Sequence, residues 1–382
     1  MSESAPSPKE AGEEQDTDEV TVADARMEAG IAHVREVQYE EAVRCFLEAR
    51  RIYKNVHGEE HVDVAGVSLN LGNTYRRIGR YDEAVEMYEE SLRIRRSVCG
   101  EGSREVGQSL RGTGNILMQQ GKLEEALTRF EEAHNIFKGT VGTEHPLMAT
   151  LLTDMGSCYR RLKRLDEAAE MHSEVLRINR TAYGENSAEA AVSLGNLGTV
   201  FIAKGMPLEA KVNFDEALGI FRSVHGESHP SVARMLCNIG NALIKQGLYD
   251  EALEMCKEAL DIRRKILGDN HKDVAGSLYE MGDIHFNRGK YEEAMRSYEE
   301  SLAVYTRALG VDNINCADAH RSIAWAKDKN GDVAGALESV RESIRIYNKL
   351  QVSDQSSQNA VQLLFELLRV LDMDMESEEE GL

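Results

Sequence analysis

Apolar residues in this chain recur at intervals of three and four, the spacing of one face of an α-helix, and the pattern stops and restarts at fixed places. Within residues 62–103 it predicts one helix from about Val64 to Ile78 and a second from about Asp82 to Val98. Gly79 separates the two and Gly100 follows the second, as a glycine just past a helix does. No stretch shows the period of two that marks a half-buried strand. The same two-helix pattern returns every 42 residues in eight copies, without insertion or deletion, beginning at Val20, Val62, Arg104, Pro146, Ala188, Pro230, Lys272 and Ile314. A fixed period of this length implies stacked supersecondary pieces, each covering its neighbour's apolar face.

Small and large residues recur in register. Position 11 of the repeat is Gly30, Gly72, Gly114, Gly156, Gly198, Gly240 and Gly282, then Ala324. A glycine inside a helix costs about 1 kcal/mol relative to alanine, so two helices are expected to approach too closely there for a side chain. Position 23 is alanine in all eight copies, from Ala42 to Ala336. Position 27 is usually aromatic (Phe46, Tyr88, Phe130, Phe214, Tyr298), and position 33 is isoleucine or valine. These large residues are expected to fill the gap to the next pair. Pro146 and Pro230 open first helices and Pro207 opens a second, where a missing N–H costs little. Second helices begin with acids such as Asp82 and Glu83 and end with bases such as Arg95 and Arg96, which suits the helix dipole better than it suggests a nucleic-acid surface.

With glycine at 11, an aromatic three on (Tyr75, Tyr159, Phe201), alanine twelve on, a large residue at sixteen and a small one at nineteen (Ala133, Ala217, Ala259), the unit resembles the tetratricopeptide repeat, whose usual length is about 34 residues. Its longer form, with loops reading GTEHPLMA, GESHPSVA and GDNHKDVA, is similar to the repeats of kinesin light chains and nephrocystin-3. The resemblance covers residues 20–355. It implies an all-α, right-handed α-α superhelix, a TPR solenoid of eight helix pairs. A kinesin light chain would be expected to carry a long heptad coiled coil ahead of its repeats, whereas 19 residues precede the first repeat here. A stand-alone array or a relative is therefore expected. The last copy is degenerate, with Trp325, Lys327, Val333 and Val352 at departing positions, as suits a terminal repeat.

Residues 356–371 should form a capping helix with Val361, Leu364, Phe365, Leu368 and Leu371 on one stripe; Leu364–Leu368 also matches an LxxLL partner motif. The net charge of −21 is concentrated at the ends, with −6 in residues 1–19 and −6 in 372–382. Both are expected to be disordered acidic tails. The six cysteines form no CxxC pair and point to reduced, neutral thiols in a cytoplasmic protein. There is no secretory leader pattern and no apolar run of about 20 residues, so membrane insertion is not expected. His57/His61 and His225/His229 have a spacing that could hold a metal, yet the repeat puts the first of each pair at a packing position and the second at a capping position shared with Ser103, Ser187 and Asn313. No cofactor, metal or catalytic residue is expected, and no nucleophile–base set or phosphate loop suggests an enzyme.

If the first helices line the inner face, as the resemblance implies, repeat positions 5, 8, 9, 12, 15 and 16 face a ligand. The residues there include Asn70, Asn73, Arg76, Arg77, Arg111, Asn115, Arg160, Arg161, Asn196, Arg234, Asn238, Asn241 and Lys245, with Asp154 among them. Beyond Lys245 the face turns acidic and aromatic, with Tyr279, Glu280, Asp283, Phe286 and Asp318. Asparagine offers a donor and an acceptor to an extended chain, and arginine holds a carboxylate with two hydrogen bonds. The expected partner is an acidic linear peptide of another protein, and not nucleic acid. An alternative is a structural subunit of a cytoskeletal, kinesin-linked or ciliary assembly, working through the outer face or the C-terminal helix.

Overall fold

The structure is a computed structural model that describes residues 8–380, with side chains over 16–369. The chain divides into two compact units, the first ending at Glu185 and the second beginning at Asn186. Repeats one to four fill the first. It runs α1 (Pro8–Arg35), α2 (Tyr39–His57), α3 (Val62–Arg77), α4 (Tyr81–Cys99), α5 (Arg104–Gln119), α6 (Leu123–Thr140), α7 (Pro146–Arg161) and α8 (Leu165–Tyr183). The second runs α9 (Ala188–Ala203), α10 (Pro207–His225), α11 (Pro230–Lys245), α12 (Tyr249–Leu267), α13 (Lys272–Asn287), α14 (Tyr291–Leu309), α15 (Ile314–Lys329), α16 (Val333–Lys349) and α17 (Gln355–Glu380). Odd helices through α15 are the first (A) and even ones the second (B) helix of each repeat. Partners within a repeat pack antiparallel, and each B helix packs on the next A helix inside its unit. Helix α1 reaches back to Pro8 and α17 on to Glu380, into the segments 1–19 and 372–382 expected as disordered tails; residues 1–7 and 381–382 lie outside the described residues.

Local chemistry sets the helix boundaries. Position 42 caps the A helices: the side chains of His61, Ser103, His145, Ser187, His229, His271 and Asn313 each accept a backbone N–H from the first turn. Gly79 (φ 80°) and Gly100 (φ 84°) take the left-handed conformation that reverses the chain after α3 and α4. In repeats one and four the first of these turns falls on Val37 (φ 64°) and Lys163 (φ 62°), where a Cβ costs about 1–2 kcal/mol. Val352 stands where other repeats have the second glycine. There α16 stops at Lys349 and Gln351 (φ 55°) makes the turn.

The position-11 glycine meets the position-27 side chain of its own repeat. A Cβ placed on Gly198 would lie 2.5 Å from Cε1 of Phe214, and one on Gly282 would lie 2.5 Å from Cε1 of Tyr298. The close approach expected at glycine is thus between an A helix and a ring on its own B helix, rather than between two backbones. Tyr88 shows the second duty of that ring: it fills the space over Gly72 and also presses on Gly112 of the following A helix. Repeat eight exchanges both partners, with Ala324 and Val340 buried together.

Charged groups tie successive B helices. Arg96 pairs with Glu132, and Arg222 pairs with Glu258 at 2.5 Å; Arg264 pairs with Glu300 at 2.7 Å. The arginines expected to complement the helix dipole therefore also clamp neighbouring repeats. The most buried example joins three helices: Glu90 on α4 accepts from Arg50 (2.7 and 2.9 Å), Lys54 (2.8 Å) and Ser68 (2.6 Å). Burial alone would raise the Glu90 carboxyl, but these donors outweigh it and hold it at about 2.

Helix α17 closes the second unit. Ala360, Leu363 and Leu367 are buried against α15 and α16, with Leu364 and Leu368 partly buried beside them. This corrects the expected stripe. Val361 (40% exposed) and Phe365 (63%) face outward, Leu371 lies outside the described side chains, and of the LxxLL leucines Leu367 is buried while Leu364 and Leu368 are partly buried against the core. Among the described residues no helix is long and apolar enough to cross a membrane.

The glycine contact makes a graded prediction. Gly198→Ala forces the new methyl into Phe214 and should destabilise by about 1–2 kcal/mol even after the gain in helix propensity. Gly240→Ala meets Cys256 Sγ at 3.1 Å, with its other neighbours at ordinary contact distance of 3.6 Å or more, and should be near neutral. Thermal denaturation of both variants beside the wild type measures the difference.

Candidate protein-binding face

The A helices follow one another along one face of each unit, α3 beside α5 and α5 beside α7 in the first, α9 beside α11 in the second. The side chains expected to bind there do not behave alike. On α3, Asn70 and Asn73 are half-buried, and Asn73 Oδ1 accepts a hydrogen bond from the Tyr88 hydroxyl at 2.8 Å. Arg111 Nε and Asn115 Nδ2 both donate to Asp154 Oδ2, at 2.6 and 3.1 Å. That pair, expected to face a ligand, instead ties α5 to α7.

Of the arginines expected to face a ligand, four others lie on α3 and α7 of the first unit. Arg77, Arg160 and Arg161 are exposed, and Arg76 is half-buried beside Tyr88 with its Nε buried and unbonded. Arg77 leans on the Tyr39 ring, 5.9 Å from its centroid, and Arg161 donates to the Met118 carbonyl oxygen. Among the described residues none of the four has a carboxylate within ion-pair distance. The B-helix arginines Arg50, Arg96, Arg177, Arg222 and Arg264 all do. Arg160 also acts inward: burial first, and this neighbouring cation second, push the His172 imidazole down to about 4. A neutral ring therefore packs over Gly156 where other repeats carry a phenyl or phenol.

In the second unit the expected residues separate. Asn196 and Asn238 are half-buried on α9 and α11. Arg234 lines a cleft of about 440 Å³ with Pro230, Arg263 and Asp273. Asn241 and Lys245 line a different one, of about 250 Å³, with Glu280 and Asp283 on its far wall and Cys237 and Cys256 at its base. Burial raises the Glu280 carboxyl, and its Oε2 has no hydrogen-bond partner. Burial likewise pushes Asp283 up to about 6 and Cys256 up to about 12. The acidic turn of the face beyond Lys245 is thus real but largely inward: Asp283 Oδ1 accepts from Tyr298 at 2.7 Å, and Asp318 accepts from Tyr347 at 2.7 Å. Sequence reasoning missed this role of position 12. The signal was present, because Asn73 and Asp283 occur in repeats whose position 27 is tyrosine, whereas Asn115 and Asn241 face phenylalanine and cysteine.

Asp283 yields a pH prediction. Its native carboxyl titrates near 6, above the ordinary value near 3.9, so the native state holds a proton that the unfolded state has released between those values. Stability of the second unit should then fall as pH rises from about 4 to 6 and stay lower above it. Asp283→Asn keeps an acceptor for Tyr298, as Asn73 does for Tyr88. It should stabilise by about 2 kcal/mol at pH 7.5 and by little at pH 4, a difference that urea denaturation at the two pH values detects.

The tetratricopeptide repeat family matches this chain over residues 21–97, 105–181, 147–223, 189–265, 231–279 and 273–349, and a second tetratricopeptide repeat family over 69–134. No curated protein sequence matches it. Among solved structures it is similar to the apo form of RapI (17% identity, 75% of this chain and 98% of that one, TM-score 0.56). It is also similar to BtubC (BKLC) from P. vanneervenii (21% identity, 60% and 90%, TM-score 0.50). A third similar structure is a putative kinesin light chain with nearly identical TPR-like repeats from Podosopora anserina (22% identity, 55% and 100%, TM-score 0.48). The helix pairs, the glycine–ring contact and the repeat matches agree: the chain belongs to the tetratricopeptide repeat family, as an all-α solenoid of eight repeats closed by a C-terminal helix.

Proposed function

We propose that this protein is an interaction scaffold whose A-helix face in the first unit captures an extended, acidic peptide segment of a partner protein. The observation that carries this reading is the set Arg76, Arg77, Arg160 and Arg161, which among the described residues lack carboxylate partners in a chain of net charge −21, whereas B-helix arginines such as Arg96, Arg222 and Arg264 are paired. Guanidinium groups placed beside amides such as Asn70 and Asn73 suit bidentate capture of carboxylates along a peptide. Arg111 and Asn115 hold the helices in place instead. Reversing the four arginines to glutamate should abolish enrichment of acidic sequences from a displayed peptide library. For any selected peptide it should weaken binding by about 30-fold or more, and raised salt should weaken the wild-type complex as well. Unchanged selection by the reversed protein, with its helical content intact, sinks the reading.

A second reading rests on α17. Counted from its cap at Asp354, whose side chain accepts from the Ser357 N–H at 3.0 Å, Phe365 occupies the position where seven repeats carry the glycine that faces the B helix. Phe365 and Val361 border an open cleft of about 570 Å³ with Ile344, Val352 and Gln358, which suits assembly through the C-terminal end. Phe365→Asp should leave stability almost unchanged, because the ring is exposed, and should lower self-association measured by sedimentation. An unaltered distribution of species counts against this second reading.

A further inference from the structure

The junction of repeats one and two carries a cluster outside the proposed peptide face. His57 ends α2, His61 caps α3 and Asp63 lies in its first turn. Asp63 Oδ2 is 3.6 Å from His57 Nε2 and 3.2 Å from His61 Nδ1. One ligand atom from each of the three residues lies within 4.8 Å of the others. In a tetrahedral site with metal–nitrogen and metal–oxygen bonds of about 2.0–2.1 Å, neighbouring donors stand about 3.3 Å apart. Two of the three separations, 3.2 and 3.6 Å, lie near this value, and the third is within 4.8 Å. The His57 ring is oriented before any ion arrives, stacked between Tyr53 (centroids 6.1 Å apart) and His61 (4.3 Å).

We propose that His57, His61 and Asp63 form a binding site for a divalent transition-metal ion, with water completing the coordination. Two imidazoles and a carboxylate favour zinc, nickel or copper over magnesium or calcium, which require oxygen donors. His61 Nδ1 now accepts the Asp63 backbone N–H at 3.3 Å, so a metal at this nitrogen displaces a long capping bond. That competition makes the site a reversible one.

The repeat itself provides the comparison. At the junction of repeats five and six, His225 and His229 stack in the same way (4.1 Å, with Phe221 behind), but Ser231 replaces the carboxylate. At the next junction His271 and Asp273 are present (3.8 Å), but Leu267 replaces the first histidine. Among the described residues the complete set therefore occurs once.

Zinc titration of the full chain against a chromophoric chelator tests this. The wild type should bind one equivalent at this site, and Asp63→Ser, which copies a natural repeat, should lose it. Ser231→Asp should gain a second equivalent by completing the His225–His229 pair. Circular dichroism confirms that both variants keep their helices. No stoichiometric binding by the wild type, equal stoichiometry in wild type and Asp63→Ser, or no gain in Ser231→Asp overturns the assignment.

Discussion

The contact between the position-11 glycine of seven A helices and the side chain at position 27 on the B helix of the same repeat determines how closely those pairs pack. A ring lies against Gly30, Gly72, Gly114, Gly156, Gly198 and Gly282, and each such glycine gives up about 1 kcal/mol of helix propensity to admit it. The cost is recovered by burying a ring that also touches the next repeat, as Tyr88 does between Gly72 and Gly112. Pair spacing and stacking are therefore one constraint, and the ion pairs between B helices add to a geometry already set.

The same constraint decides which side chains can face a partner. A tyrosine at position 27 brings a hydroxyl up to position 12, and Asn73 and Asp283 bond to it. A phenylalanine brings none, so Asn115 is left to join Arg111 on Asp154. The character of the A-helix face thus follows from the repeat's interior. In the first unit it leaves four arginines without acids. In the second it places two carboxylates, Glu280 and Asp283, where burial makes their ionisation costly.

The fold was legible because the period is exact. Helix boundaries from the 62–103 copy agree with α3 and α4 to within two residues, and the capping role of position 42 holds from His61 to Asn313. The face was only partly legible. Helical spacing places residues on that face but cannot tell an arginine that reaches solvent from one that reaches Asp154 on the neighbouring helix. Nor can it fix rotation where the repeat ends: the apolar residues of α17 admit more than one stripe, and contact with α16 selects Ala360, Leu363 and Leu367 over Val361 and Phe365.

Helix α17 has one more consequence. Counted from Asp354, its Phe365 sits at the step where seven repeats carry glycine, so a ring of the usual kind on a B helix would meet a side chain there. Because α17 lies against α15 as well as α16, the last complete repeat has an A-type neighbour on its outer side. Helix α15 is thereby flanked as an interior A helix is.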